Sequence, residues 1–163
     1  MDAADVYLAK PPDEEIERQL SRPLGGVVGT LNPEGTIHLA FVIYLWENGK
    51  FYFETASMTK KVRNLRENPT VSFAVDADGF MVMVEGTARI LEGDEATEIN
   101  RKVRRQHLTP QAAETVGEAW GLVDDVAVEI TPQKWRSWSS HKLGELGRSA
   151  AGDLHPDQWW VKE

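Results

Sequence analysis

The chain has 163 residues, with 18 lysines and arginines against 26 aspartates and glutamates, for a formal net charge of −8. An apolar share of 41% at this length fits one packed domain, or one domain with a tail, and excludes wholesale disorder. The absence of cysteine excludes a disulfide scaffold, thiolate catalysis and a Cys-ligated metal, cluster or haem, and the acidic balance argues against nonspecific nucleic-acid binding.

The first ten residues carry Asp2 and Asp5 and have no basic segment leading into an apolar one, so they read as no secretory leader. No run in the chain approaches the ~18 apolar residues of a membrane span. The expectation is a cytoplasmic protein with no membrane partner.

Residues 13–20 predict a short helix, with Asp13 as N-cap and Ile16 and Leu20 four apart on one side. Val27–Leu31 predicts a strand, residues 32–35 (Asn-Pro-Glu-Gly) a turn, and Thr36–Trp46 a second strand rich in β-branched and aromatic residues. Asn48-Gly49 is a hairpin signal, returning the chain as a third strand over Phe51–Thr55. Residues 59–67 predict a helix capped by Thr59 and stopped by Asn68-Pro69. Strands follow over Val71–Val75 and Phe80–Leu91, with Asp76–Gly79 turning between them. Helices follow over 94–107 and 110–120, the latter from the Thr109-Pro110 cap pair. Val123–Ile130 predicts a sixth strand, closed by Thr131-Pro132, with Lys134–Ser139 as a possible extension. From Ser140 the glycines and scattered charges read as an extended arm, and Trp159-Trp160 as groups that dock on something. The expected fold is mainly β: a small barrel of about six mostly antiparallel strands with short helices. Its domain spans residues 1–143, with a C-terminal arm over 144–163.

The segment most suggestive of chemistry is Thr55-Ala56-Ser57-Met58-Thr59-Lys60-Lys61-Val62-Arg63-Asn64. Hydroxyls, free backbone N–H groups and two adjacent lysines meet where a helix begins, and the helix dipole and ammonium charges favour an anion there. A solvated basic helix with an ordinary cap is the competing reading.

Several motifs in order resemble the split barrels of the pyridoxamine 5'-phosphate oxidase superfamily. They are Gly29-Thr30-Leu31-Asn32-Pro33-Glu34-Gly35-Thr36, then Phe51–Thr55, Thr59-Lys60-Lys61, Asn64-Leu65, Asn68-Pro69-Thr70-Val71-Ser72 and Val84-Glu85-Gly86-Thr87-Ala88-Arg89. The resemblance implies a split β-barrel homodimer with a flavin or deazaflavin in each groove between subunits. It implies that Thr59, Lys60 and Lys61 hold the cofactor phosphate with Thr55, Ser57 and Asn64 nearby. Ala40, Phe41, Val42 and Ile43 would line the ring. Where the true oxidases carry a phosphate-binding arginine in the second strand, this chain has Ala40, and their C-terminal Arg-x-His is not visible. Those departures favour the branch of reductases that use the deazaflavin coenzyme F-420, with FMN as the alternative cofactor and a small unsaturated or conjugated molecule as substrate. A non-catalytic flavin, deazaflavin or haem binder is the competing class.

The remaining candidates carry less. His38 and His107 lack ligand-type neighbours and read as packed or surface histidines. Ser139-Ser140-His141, beside Trp135 and Trp138, reads as part of a structural arm, and His141 and His155 as haem ligands only in a minor alternative. No catalytic acid, base or metal site stands out. Phe73, Val75, Met81 and Met83 are the apolar positions expected to be partly exposed in a monomer and covered in a dimer.

Overall fold

The computed structural model describes residues 3–162; Met1 and Asp2 of the expected barrel domain and Glu163 of the expected arm lie outside the described residues. In chain order the elements are α1 (Ala3–Val6), β1 (Tyr7–Leu8), α2 (Glu14–Leu20), β2 (Gly25–Leu31), β3 (Ile37–Ile43), β4 (Leu45–Glu47), β5 (Lys50–Thr55) and α3 (Lys60–Glu67). After these come β6 (Thr70–Asp76), β7 (Phe80–Leu91), α4 (Gly93–His107), α5 (Pro110–Gly121), β8 (Val126–Ser139), α6 (Ser140–Ala150) and a 3-10 turn at Pro156–Gln158.

The eight strands form one antiparallel sheet in the order β3-β2-β6-β7-β8-β5-β4, with β1 paired to the far part of β8. The two end strands, β3 and β4, are consecutive in the chain and separated only by Tyr44. The expected single strand over 36–46 is therefore split, one half at each end of the sheet, and this is how the barrel closes. Tyr44 turns inward at the break. It is fully buried, its hydroxyl donates to Leu20 O (2.9 Å), and its ring meets Phe51 and Phe73 edge-on at 5.5 and 5.6 Å. The fold is a split β-barrel, as the sequence predicts, with two more strands than expected.

Alternation fills the interior. Val28, Phe53, Phe73, Val75, Val82, Val84, Val128 and Ile130 point inward, and Ile16 and Leu20 of α2 cover one end. A Cβ on Gly26 would lie 2.3 Å from the tip of the Phe73 ring, so only glycine lets that strand pass. Outside the barrel, α4 lays Ala96 and Val103 on Leu45, Tyr52, Leu91 and Ala127. β8 is thus buried on both faces from Val126 to Ile130, which explains why its residues are apolar except Glu129, whose charge is met by Arg89 and Lys50.

Three expectations need correction. Thr131-Pro132 does not close β8. The strand continues to Ser139 through a bulge, because Glu85 pairs with Lys134 and Gly86 with Pro132, leaving Gln133 as the extra residue. The segment from Ser140 is not extended but helical, its first turn capped by the Ser139 hydroxyl. Trp159 docks on that helix at Gly147 and donates from Nε1 to Leu154 O (3.2 Å), while Trp160 is exposed.

Two of the apolar positions expected to be partly exposed are not: Phe73 and Val75 are core residues, whereas Met81 and Met83 are half-buried on the outward side of β7, as expected. The exposed apolar face belongs instead to Ile37, Leu39 and Phe41 on β3, which are 67, 65 and 90% exposed. Phe41 begins a row that crosses five strands: Phe41, Val27, Ala74, Met83 and Arg136. A shallow depression of about 450 Å³ lies on this face. No helix among the described residues is long and apolar enough to cross a membrane.

Candidate cofactor-binding site

β5 ends at Thr55, the chain turns through Ala56–Thr59, and α3 begins at Lys60. Thr59 occupies the N-cap position but its hydroxyl does not cap: it donates to Ala56 O (2.9 Å), as does its N–H (3.1 Å). The Thr55 and Thr59 hydroxyls lie 3.4 Å apart. The first helical bond at this end is Arg63 N–H to Thr59 O (3.1 Å). The N–H groups of Lys60, Lys61 and Val62 have no protein partner among the described residues and point toward the positive end of the helix.

The two lysines differ. Lys60 is exposed, while Lys61 is half-buried and forms no ion pair among the described residues. Burial holds the Lys61 ammonium below the ordinary lysine range, opposed by the charge of Asp124. A partly desolvated ammonium without an ion pair, carried on the first turn of a helix whose first three N–H groups are open, fits an anionic ligand such as a cofactor phosphate. Arg63 is exposed and donates to Met58 O (3.4 Å), and Arg66 is already paired with Glu92 (2.7 Å).

Asn64 is buried, and its amide donates to both Thr30 Oγ1 and Asn32 Oδ1 at 3.0 Å. It pins α3 to β2 and to the turn after it, so its place is beneath the site. Ser57 faces outward, and both of its donors are used by Asp125: N–H to Oδ1 at 2.7 Å and Oγ to Oδ2 at 2.8 Å. Those bonds, the backbone one first, hold the Asp125 carboxyl below its usual range.

The four ring-lining candidates do not share a side. Ala40 and Val42 pack against the barrel core, Phe41 points to the opposite, exposed face, and Ile43 packs with the outer cluster around Leu45 and Tyr52. A strand cannot present four consecutive side chains to one ligand. His107 meets Tyr44 O at 2.7 Å, His141 meets Asp78 O at 3.0 Å, and His155 Nδ1 accepts from Asp157 N–H. No group of three or more His, Cys, Asp or Glu among the described residues could hold a metal ion.

Sequence reasoning missed the acidic side of this site. Asp124 and Asp125 precede β8, nearly seventy positions after Ser57, and no local pattern marks Asp125 as the partner of Ser57 or Asp124 as a neighbour of Lys61. It also missed the pair beneath: Glu54, next to Thr55, is bound by Arg104 of α4 in the protein interior.

A split barrel closed across Tyr44, with an anion-receptive helix start beside β5, defines the class of protein. The pyridoxamine 5'-phosphate oxidase family matches residues 12–139, and the chain belongs to that family. It is 34% identical over 92 residues to a pyridoxine/pyridoxamine 5'-phosphate oxidase of Bacteroides thetaiotaomicron. That match covers 55% of this chain and 43% of the relative, so the chain spans less than half of that enzyme's length. Among solved structures it is similar to a conserved hypothetical protein of Mycobacterium tuberculosis, at 27% identity and a TM-score of 0.71 over 88% of this chain and 92% of the other. It is also similar to an F-420 reductase, at 26% identity and a TM-score of 0.60, covering 76% of this chain and 98% of the reductase.

Proposed function

We propose that the chain is a deazaflavin-dependent oxidoreductase that binds coenzyme F-420 and passes a hydride to a small unsaturated or conjugated substrate. The observation that carries the reading is Lys61: half-buried, unpaired, and adjacent to the open N–H groups of Lys60, Lys61 and Val62. Thr55 and Thr59 flank it, and Lys60 and Arg63 extend the positive charge along α3. The deazaflavin supplies two-electron hydride chemistry when bound; the protein binds, orients and shields it. No side chain here is assigned as a proton donor.

The similarity to an F-420 reductase supports the deazaflavin over FMN, as does Ala40 in place of an arginine. The oxidase relative keeps FMN as the alternative. The exposed Ile37, Leu39 and Phe41, with half-buried Val27 and Met83 beside them, support a homodimer in which the second copy would cover this apolar face. Fluorescence titration with F-420 and with FMN tests the reading. Saturable F-420 binding that Lys61→Ala weakens at least tenfold is expected. Binding that Lys61→Ala leaves unchanged would place the phosphate elsewhere. A binder that turns over no substrate would be a carrier.

A further inference from the structure

Ser57 is the one hydroxyl of the turn that faces outward, and it is already saturated by an anion of the protein itself. The Asp125 carboxylate accepts from both its N–H and its hydroxyl. A ligand phosphate at the start of α3 is therefore left the Thr55 hydroxyl, the three open N–H groups and Lys61, because Thr59 spends its hydroxyl and its N–H on Ala56 O. It must also sit beside a fixed negative charge. Only Met58 separates Ser57 from Thr59, two chain steps of at most about 7 Å, so a phosphate held at the start of α3 would sit roughly that far from the Asp125 carboxylate. The other charges around the turn are known. Lys60, Lys61 and Arg63 are positive, Glu34 lies within electrostatic reach of Lys60, and Asp124 within reach of Lys61. Arg66 is taken by Glu92. The turn is thus a cationic site trimmed by carboxylates, not a simple basic patch.

We propose that Asp125 is a specificity-determining residue, biasing the turn toward a phosphodiester, which carries one negative charge, and against a phosphomonoester, which carries nearly two. The inference rests on the reading that this turn holds the cofactor phosphate. It supplies a reason for a cofactor whose phosphate bridges to a further tail, as in the deazaflavin coenzyme, to be preferred over FMN. A phosphomonoester has a charge of about −1.5 to −2 at neutral pH. In a water-like dielectric at this separation, each unit of ligand charge against one carboxylate changes affinity by about threefold.

A matched pair of ligands isolates the effect: FMN and its 5'-methyl phosphate ester, which share the ring and differ in one phosphate charge. Both are titrated by flavin fluorescence against the full-length wild type, Asp125→Asn and Ser57→Ala. Asp125→Asn should strengthen the diester about threefold and FMN about tenfold, because it removes the charge while the amide oxygen still accepts from Ser57 N–H and the Ser57 hydroxyl turns to accept from the amide nitrogen. Ser57→Ala keeps the carboxylate and should leave the ratio of the two affinities at its wild-type value. A purely structural clamp would make both variants weaken both ligands alike, and an unchanged ratio in Asp125→Asn overturns the proposal. If Asp125→Asn does not fold, Asp125→Ser, whose hydroxyl still accepts from the turn, takes its place; failure of both to fold makes the carboxylate structural and also overturns it. Failure of the wild type to bind either flavin or F-420 removes the underlying reading, an outcome distinct from equal binding of both esters.

Discussion

Arg104 of α4 reaches Glu54, the residue before Thr55, with Nη2 2.7 Å and Nε 2.8 Å from the same carboxylate oxygen, and both side chains are almost wholly buried. Nη1 donates to Gly117 O on α5 at 2.8 Å. One guanidinium thus ties the end of β5 to both helices of the α4–α5 pair. Burial pushes the Glu54 carboxyl up, against the pull of Arg104. Removing one partner strands the other charge in the interior. Arg104→Ala should lower unfolding stability by about 3–5 kcal/mol in urea titrations, whereas replacing both with apolar residues of similar volume should cost less than the single change. A single change costing under about 1 kcal/mol would show the pair to be solvated.

Glu129 gives the acid dependence. Its carboxylate accepts from Tyr52, Arg89 and Lys50. Burial raises its pKa, but the bonds to Arg89 and Lys50 outweigh that and hold it below the ordinary glutamate value. A carboxylate depressed in the folded state adds stability above its unfolded pKa, and that contribution is lost as pH falls through the folded one. Melting temperatures followed downward from about pH 6 should therefore fall further below about pH 4.5 in the wild type than in Glu129→Gln, with the two curves converging in acid. Parallel curves would contradict this.

What could be read from the sequence and what could not divides along the reach of the interactions. The hairpin at Asn48-Gly49, where both residues have positive φ, the cap at Asp13 and the strand over Phe80–Leu91 are local, and they stand as expected. The break at Tyr44 was illegible, because an apolar run reads the same whether it lies in one strand or spans two ends of a closing sheet. The outward face was misjudged at Phe73 and Val75 because parity alone does not say which side is inside. At the candidate site the Thr55 and Thr59 hydroxyls do meet, at 3.4 Å, and Lys60 and Lys61 follow at the helix start, since the motif is contiguous. Asn64 and Ser57 took other partners, Thr30, Asn32 and Asp125, that only the folded sheet brings near.

The unequal burial of Lys60 and Lys61 separates binding from stability. Lys61→Ala should weaken cofactor binding about ten- to a hundredfold, the loss of one charge-assisted contact, and Lys60→Ala less. In the cofactor-free protein, Lys61→Ala should hold or raise the melting temperature, because it removes a half-buried ammonium without an ion-pair partner. Loss of apo stability in parallel with affinity would show Lys61 to be part of the scaffold.

Phe41 tests the proposed dimer. It is 90% exposed at the start of the row through Val27 and Met83, so a charge there should not disturb the barrel interior. Phe41→Asp should leave the circular dichroism spectrum unchanged and shift the mass by light scattering from two chains to one of 18.3 kDa. Cofactor affinity should fall with it if the groove is shared between copies. A wild type that is already monomeric at micromolar concentration would remove the dimer from the reading.

The last prediction concerns charge along α3. Lys60, Lys61, Arg63 and Arg66 put four cations on one short helix in a chain of net charge −8. Arg66 is held by Glu92, so three remain for a ligand. In the proposed site FMN, which ends at its phosphate, would engage only the first part of this row, at Lys60 and Lys61. The deazaflavin, which continues past its phosphate into an acidic tail, would also meet Arg63 across the next turn of the helix. Each further charge pair adds attraction that mobile ions screen. F-420 should therefore bind more tightly than FMN at low salt, and its affinity should fall more steeply as salt rises. Arg63→Ala should flatten the F-420 salt slope toward that of FMN and leave the FMN slope nearly unchanged. Freeing Arg66 by Glu92→Gln should act in the opposite sense, steepening the F-420 slope alone, because the released guanidinium joins the row. Equal slopes for the two ligands in the wild type, or tighter FMN binding, would reverse the cofactor assignment in favour of the flavin.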